Sequence, residues 1–373
     1  MSLRVLITGG AGFIGSFLVD RLISEGHYVR ILDSLEPQVH PGRKSPLYLN
    51  SKAELQKGST MDSNDVKKAI EDIDVVFHLA ALVGVGQSMY EIKRYVDANT
   101  AGTANMLDVL ANSEHQIKKV IVASSMSTYG EGVYTDKSGN RLRPPVRSTK
   151  QMSRKDWEVK HPETGEMLNP VGVKEADAQI CNSIYAITKK DQEDMVMNVC
   201  DAYGIASTAL RYFNVFGPRQ SLSNPYTGVA AIFMSRIKNN NSPVIFEDGL
   251  QSRDFISVHD IVEANILSMK MKAANNEVFN VGSGKKVTIL QVAETLASLY
   301  GKKIKPDIVG KFRKGDVRHC FSDISKIKSK LDFSPKVSFN DGMKDLIRWA
   351  GETDSVDKVD IATKELEERG LLG

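Results

Sequence analysis

Cysteine is scarce in this chain. Only Cys181, Cys200 and Cys320 occur in 373 residues, and no two form a C-x-x-C pair. That argues against a disulfide framework and against a zinc site, and it suits a reducing cytoplasm. Charge of one sign is also lacking. The 49 Lys and Arg residues against 46 Asp and Glu leave a net charge of +3, too small for a nucleic-acid footprint. Long apolar runs are missing. The opening run Leu3-Arg4-Val5-Leu6-Ile7 is far too short to span a bilayer, and no basic-apolar-small leader pattern accompanies it. Repeats and low-complexity tracts are absent. What remains, 41% hydrophobic and 25% charged, is an ordinary globular composition. It implies one large domain or two lobes sharing a core, expected in the cytoplasm, without nucleic-acid, membrane or metal partners.

What is present begins at once. Behind the opening apolar run stands Thr8-Gly9-Gly10-Ala11-Gly12-Phe13-Ile14-Gly15. A buried strand ending at Thr8, a glycine turn and a helix from Phe13 to about Glu25 form the first unit of a dinucleotide-binding fold. The glycines, spaced G-x-x-G-x-x-G, let the backbone approach a pyrophosphate, and the helix start offers it free N–H groups. Tyr28-Val29-Arg30-Ile31-Leu32 reads as the second strand, ended by Asp33. A carboxylate there accepts from both ribose hydroxyls and repels a 2′-phosphate, which favours NAD over NADP.

Strand and helix patterns then alternate through Val75–Leu79, Tyr95–Asn112 and Val120–Ala123. This predicts an α/β fold, a Rossmann-type doubly wound parallel sheet. Residues 131–176 break the rhythm with glycines and prolines and read as an ordered insertion bordering the ligand pocket. A helix over Asn182–Tyr203 and a strand over Thr208–Phe213 follow. The expected division is 1–215 for the dinucleotide domain, 216–350 for a smaller mixed α/β substrate lobe, and 351–373 for a helical tail. The tail reads as an amphipathic surface helix without a functional role.

The chemistry-bearing pattern is Tyr185-Ala186-Ile187-Thr188-Lys189. Phenol and ammonium lie one helical turn apart, and a nearby cation favours the phenolate, so the tyrosine can serve as a general base. Tyr48 and Lys52 share the spacing but read as a solvated loop. Tyr185 differs because Ser124 and Ser125 end a predicted parallel strand, where ligands of doubly wound sheets bind.

With these residues in hand, the chain resembles the extended short-chain dehydrogenase/reductases, in the NAD-dependent sugar epimerase/dehydratase family. The likeness spans about 1–350 apart from the insertion. It implies a catalytic set of Ser125, Tyr185 and Lys189. It implies cofactor contacts from Gly9, Gly12, Phe13, Ile14, Gly15, Asp33, Ser34, Ser59, Thr60, Leu79, Ala80, Ala81, Asn99, Tyr185, Lys189, Tyr212 and Phe213. Substrate contacts are implied for Ser127, Asn214, Arg253, Arg313 and Asp316, the arginines suiting phosphate because they are planar, charged and bidentate. One departure concerns Gly58-Ser59-Thr60, where the family often carries an Asp against adenine.

The resemblance also separates reactions. Dehydratases of the family carry Asp-Glu after the catalytic Ser/Thr, and decarboxylases keep the Glu. Here Met126 and Ser127 stand there, and neither is a carboxyl acid/base. Oxidation at C4 then leaves only hydride return, which implies nucleotide-sugar 4-epimerisation. The expected substrate pair is dTDP-L-rhamnose and dTDP-6-deoxy-L-talose. UDP-glucose or UDP-glucuronate, or a reductase reaction, are the alternatives. A homodimer is implied through Tyr95–Asn112 and Asn182–Tyr203.

Overall fold

The computed structural model describes residues 2–373. Seven parallel strands form the main sheet: β1 Arg4–Thr8, β2 Tyr28–Asp33, β3 Glu54–Lys57, β4 Val75–His78, β5 Lys119–Ser125, β6 Ala206–Tyr212 and β7 Glu277–Val281. Their order is β7-β6-β5-β4-β1-β2-β3. The order reverses between β1 and β4, which places a crevice at their carboxyl ends. The central strands are apolar along nearly their whole length because both faces are covered.

On one face α1 (Phe13–Ser24) buries Leu18, Val19 and Leu22. On the other, α2 (Gly102–Asn112) and α3 (Ile184–Ala202) bury Met106, Leu107, Leu110, Val196 and Cys200. One turn of π-helix, Val96–Ala101, precedes α2. Such turns store irregular backbone and mark functional regions.

The smaller lobe carries a sheet of Asn214–Phe216, Ser252–Ser257, Lys286–Thr288 and His319–Cys320. The anticipated break at 215 is crossed by the chain. The edge strand β7 comes from residues 277–281 and pairs with β6 from Glu277↔Thr208 to Val281↔Tyr212. The insertion is ordered, as expected. It folds into a three-stranded antiparallel sheet of Val133–Thr135, Arg141–Leu142 and Asn169–Val171, with a helix Thr149–Ser153. Among the described residues no helix is long and apolar enough to cross a membrane, and no His/Cys/Asp/Glu group is arranged to hold a metal.

Candidate active site

A single cavity of 1270 Å³ runs along the carboxyl ends of the strands and into the smaller lobe. At one end lies the glycine turn. Gly9 has φ of 73°, and a Cβ there would press within 2.9 Å of the Ala80 backbone. A Cβ on Gly15 would lie 2.5 Å from the Gly9 carbonyl oxygen. Only glycine permits that approach of helix to turn. No side chain caps α1 at Gly12, so its first amides stay available to an anion.

Asp33 sits beside this turn, 8% exposed. Its carboxylate accepts from Ala11 N at 3.0 Å and Leu35 N at 2.8 Å. Each oxygen keeps a lone pair for a further donor. Gly9, Gly12, Phe13, Ile14, Gly15, Asp33, Ser34, Ser59, Thr60, Leu79, Ala80 and Ala81 all line this part of the cavity. The departure at Ser59 has a local cause. Asp65 accepts from Ser59 N at 2.9 Å, so a carboxylate does stand behind the loop, but as a brace.

Asn99 departs from expectation. It is fully buried and lies outside the cavity lining. Its side chain accepts from Leu82 N at 2.7 Å, donates to Leu82 O at 3.1 Å and donates to Thr188 at 3.0 Å. The π-turn aims it at the loop after β4, so it holds the 79–83 wall without touching the cavity.

Ser125, Ser127, Tyr185, Lys189, Tyr212, Phe213 and Asn214 converge at the middle of the cavity. Ser125 Oγ accepts from Ser127 N at 3.1 Å and Ser127 Oγ at 2.9 Å. Its own proton is thereby left free for the neighbouring Tyr185 phenol, with which it shares the middle of the cavity. Burial raises the Tyr185 pKa, and the Ser125 hydroxyl pulls it back only partly. The expected lowering by Lys189 is not found. Lys189 is itself buried, which drives its pKa down to about 7 against the raising influence of Glu193. Its Nζ donates to Gln192 Oε1 at 2.6 Å. Desolvation is the largest influence on both groups.

A buried network lies beneath. Glu193 pairs with Arg211 at 2.5 Å and accepts from Ser124 at 2.5 Å, while Arg211 also donates to Tyr129 at 2.7 Å. Neither Glu193 nor Arg211 was singled out from the sequence. Glu193, one turn beyond Lys189, was the available signal.

In the smaller lobe, Arg253, Arg313 and Asp316 line the same cavity. Arg253 pairs with Asp316 at 3.4 Å, and Arg313 lies 4.5 Å over the Phe246 ring. Asn214 Oδ1, Gln220 Oε1 and Gln251 Oε1 are buried without a protein donor, and all three residues face the cavity. Unsatisfied acceptors of this kind call for ligand or water donors.

Three further expectations are corrected. The insertion 131–176 contributes no residue to the cavity lining. Instead, Arg147 pairs with Glu247 at 2.8 Å and donates to Asp316 O at 3.2 Å, and Trp157 packs on Phe312. The insertion thus buttresses the segment bearing Arg313 and Asp316 from behind. The tail is not a bystander, since Val359, Ala362, Thr363, Leu366 and Leu371 line the cavity. Tyr48 is not solvated. It donates to Ala11 O at 3.3 Å and packs on Trp349, and burial lifts its pKa to about 12.

The cavity's carboxylates decide what it can do. Asp33 lies at the glycine turn, Glu36 pairs with Arg94, Asp97 with Lys93 and Asp316 with Arg253. None of these is free beside Ser125 and Tyr185.

Comparison with known proteins agrees with this geometry. Residues 5–152 match the model of the NAD dependent epimerase/dehydratase family, and residues 165–346 match that of GDP-mannose 4,6 dehydratase. A dTDP-L-rhamnose 4-epimerase of Burkholderia thailandensis is 31% identical over 94% of this chain and 95% of its own length. A solved UDP-N-acetylglucosamine 4-epimerase of Methanobrevibacter ruminantium M1 superposes with a TM-score of 0.76 at 34% identity, covering 94% of this chain and 99% of that one. A UDP-glucuronic acid 4-epimerase of Bacillus cereus, solved with UDP-glucuronic acid and NAD, gives a TM-score of 0.74 at 26% identity, covering 94% and 99%. The glycine turn, the Ser-Tyr-Lys cluster and the matched sequence lead to one conclusion: the chain belongs to the NAD-dependent epimerase/dehydratase family of nucleotide-sugar enzymes.

Proposed function

We propose that the protein is a nucleotide-sugar 4-epimerase that keeps one NAD as a resident cofactor. Bound NAD supplies an acceptor for the C4 hydrogen of the sugar and a source for its return. Asp33 holds the adenosine ribose, the glycine turn and the start of α1 hold the pyrophosphate, and Tyr212 and Phe213 border the nicotinamide end.

Tyr185 takes the proton of the sugar O4, and Ser125 shares that hydrogen bond. Ser127 fixes the direction in which Ser125 donates. Lys189 stands one turn from the phenol, beside the nicotinamide end of the cavity. Arg253 and Arg313 receive the diphosphate, and Asn214 the sugar or its nucleotide. When O4 has become a carbonyl, the cavity offers no carboxyl group for elimination or for a second proton shuttle. The keto sugar therefore turns over and takes the hydrogen back on its other face, while Tyr185 returns the proton. The observation that carries this reading is Met126-Ser127 directly after Ser125, with each cavity carboxylate either paired or remote.

The retained cofactor has separate support. Gln38 donates to Gln87 at 3.1 Å and to Asn224 at 3.0 Å, closing the loop after Asp33 against two other walls. The substrate pair is dTDP-L-rhamnose and dTDP-6-deoxy-L-talose, supported by the Burkholderia relative and by the run Ser221-Leu222-Ser223-Asn224-Pro225-Tyr226-Thr227-Gly228 along the cavity. Two copies form a homodimer through Tyr95–Asn112 and Asn182–Tyr203, where Val96 and Ile187 are 38% and 44% exposed. The three free cysteines suit the cytoplasm. Incubation with dTDP-, UDP- and GDP-sugars without added dinucleotide, products resolved by NMR, tests the reading. C4 epimers of dTDP-L-rhamnose support it; conversion only with stoichiometric NADH or NADPH consumption would make the protein a reductase.

A further inference from the structure

The last helix, α4 (Val359–Glu368), and the residues after it line the cavity with Val359, Ala362, Thr363, Leu366 and Leu371. The helix turns Ala362 and Leu366 inward, at 7% and 8% exposure, while Ile361 stays 70% exposed on the outer face. This apolar wall is fixed at both ends. At the reacting end, Leu366 lies 3.7 Å from the position of a Cβ on Gly86. Two residues on, Ser88 Oγ accepts the backbone N–H of Tyr185 at 3.0 Å. At the phosphate end, Leu371 O accepts from Lys314 N at 3.1 Å, and Leu372 pairs with Arg313. The wall therefore runs between the catalytic tyrosine and the phosphate arginines, along the stretch the sugar ring must occupy.

The same segment removes a cation from the cavity. Arg236 is a lining residue, and its guanidinium is held by Asp360 at 2.7 Å and Asp357 at 3.4 Å. Glu365 binds the hydroxyls of Tyr226 at 2.7 Å and Tyr90 at 3.0 Å, which locks the helix onto the opposite loop.

Resting on the reading of this cavity as a sugar-nucleotide site, we propose that residues 357–371 are its specificity wall. It selects sugars that are uncharged at C5, hexoses and 6-deoxyhexoses, against hexuronic acids. An apolar face beside C5 suits a methyl or hydroxymethyl group. A carboxylate there would lose its water without gaining Arg236, which is already held by Asp357 and Asp360.

The matched pair UDP-glucose and UDP-glucuronate differs only at C6 and isolates this term. Their affinities for the NAD-loaded protein are measured by calorimetry, with UDP and dTDP-L-rhamnose alongside. The wild type is expected to bind UDP-glucuronate at least tenfold more weakly than UDP-glucose. Leu366→Arg should shift that ratio at least tenfold toward the uronate. Asp357→Asn combined with Asp360→Asn, which frees Arg236 without altering the apolar face, should shift it in the same direction. Equal binding of the two sugars by the wild type overturns the proposal. So does an unchanged ratio in either variant when its NAD content and thermal midpoint match the wild type. If the wild type binds none of the four nucleotides, the sugar-nucleotide reading falls with it, whereas binding with an unaltered ratio overturns the wall alone.

Discussion

Tyr185 is the residue on which the chemistry turns. Tyr185→Phe should retain NAD and lose turnover by about 10²–10⁴-fold, the usual worth of a positioned acid/base. Steady-state rates together with the dinucleotide recovered from denatured protein check both halves, and wild-type turnover would remove Tyr185 from the mechanism. Asp33→Ala should weaken NAD and relax the bias against NADP, since it loses the ribose acceptor and the repulsion toward a phosphate. Recovery of mainly NADP from the wild type would contradict that role.

Lys189 carries a pH signature. Burial holds its pKa at about 7, below the value of about 10.4 it has when unfolded. The unfolded chain thus binds this proton more tightly. The buried charge opposes folding fully below pH 7, and the opposition fades as pH rises toward 10. His78, pushed down to about 3 by burial, has finished titrating before that window opens. Lys119, pushed down to about 8 by burial, adds to the same window. Denaturation of nucleotide-free protein should show stability rising from pH 7 to 10, and Lys189→Met should reduce the rise. An identical slope in that variant would mean the titration lies elsewhere.

At the scale of elements, much was legible because it is local. The glycine turn, the strand ending at Asp33 and the helix bearing Tyr185 and Lys189 are each specified by a few neighbouring residues, and each stands where expected. What stayed hidden depends on distant partners. Asn99 reads as a cavity residue from its place in the family pattern, yet a π-turn sends it to Leu82 and Thr188. The tail reads as amphipathic from Val356, Val359, Ile361, Leu366 and Leu371, but that pattern cannot say which surface it covers, and Val356 and Ile361 in fact stay exposed. The insertion departs and returns beside the catalytic residues, which in the sequence points to the pocket. Its buried arginine, Arg147, instead finds Glu247, a hundred residues away.

That arginine gives the element-scale prediction. Arg147→Ala leaves Glu247 short of one cation and frees the carbonyl of Asp316. KM for the sugar nucleotide should rise, while NAD content and kcat change little. A variant that loses NAD would place the insertion in the cofactor site. A second buried pair has the opposite character. Glu193→Ala strands Arg211 under the strand carrying Ser125, and breaking such a pair costs about 3–5 kcal/mol. Thermal denaturation should show that loss, and a midpoint equal to the wild type would deny Glu193 its supporting role.

For the whole molecule, the account rests on a closed cycle. One sheet presents the cofactor turn and the catalytic tyrosine, a second lobe presents the phosphate arginines, and insertion and tail brace that lobe from outside and inside. Light scattering at micromolar concentration should give twice the mass of the chain, and a monomer would contradict pairing through the α3 face. The cycle itself is tested most directly with dTDP-L-rhamnose deuterated at C4, incubated without added dinucleotide. The account predicts the C4 epimer with the deuterium still at C4, because the hydrogen that leaves is the one that returns. Epimer that has exchanged its deuterium for solvent hydrogen would contradict it, as would a dehydrated product.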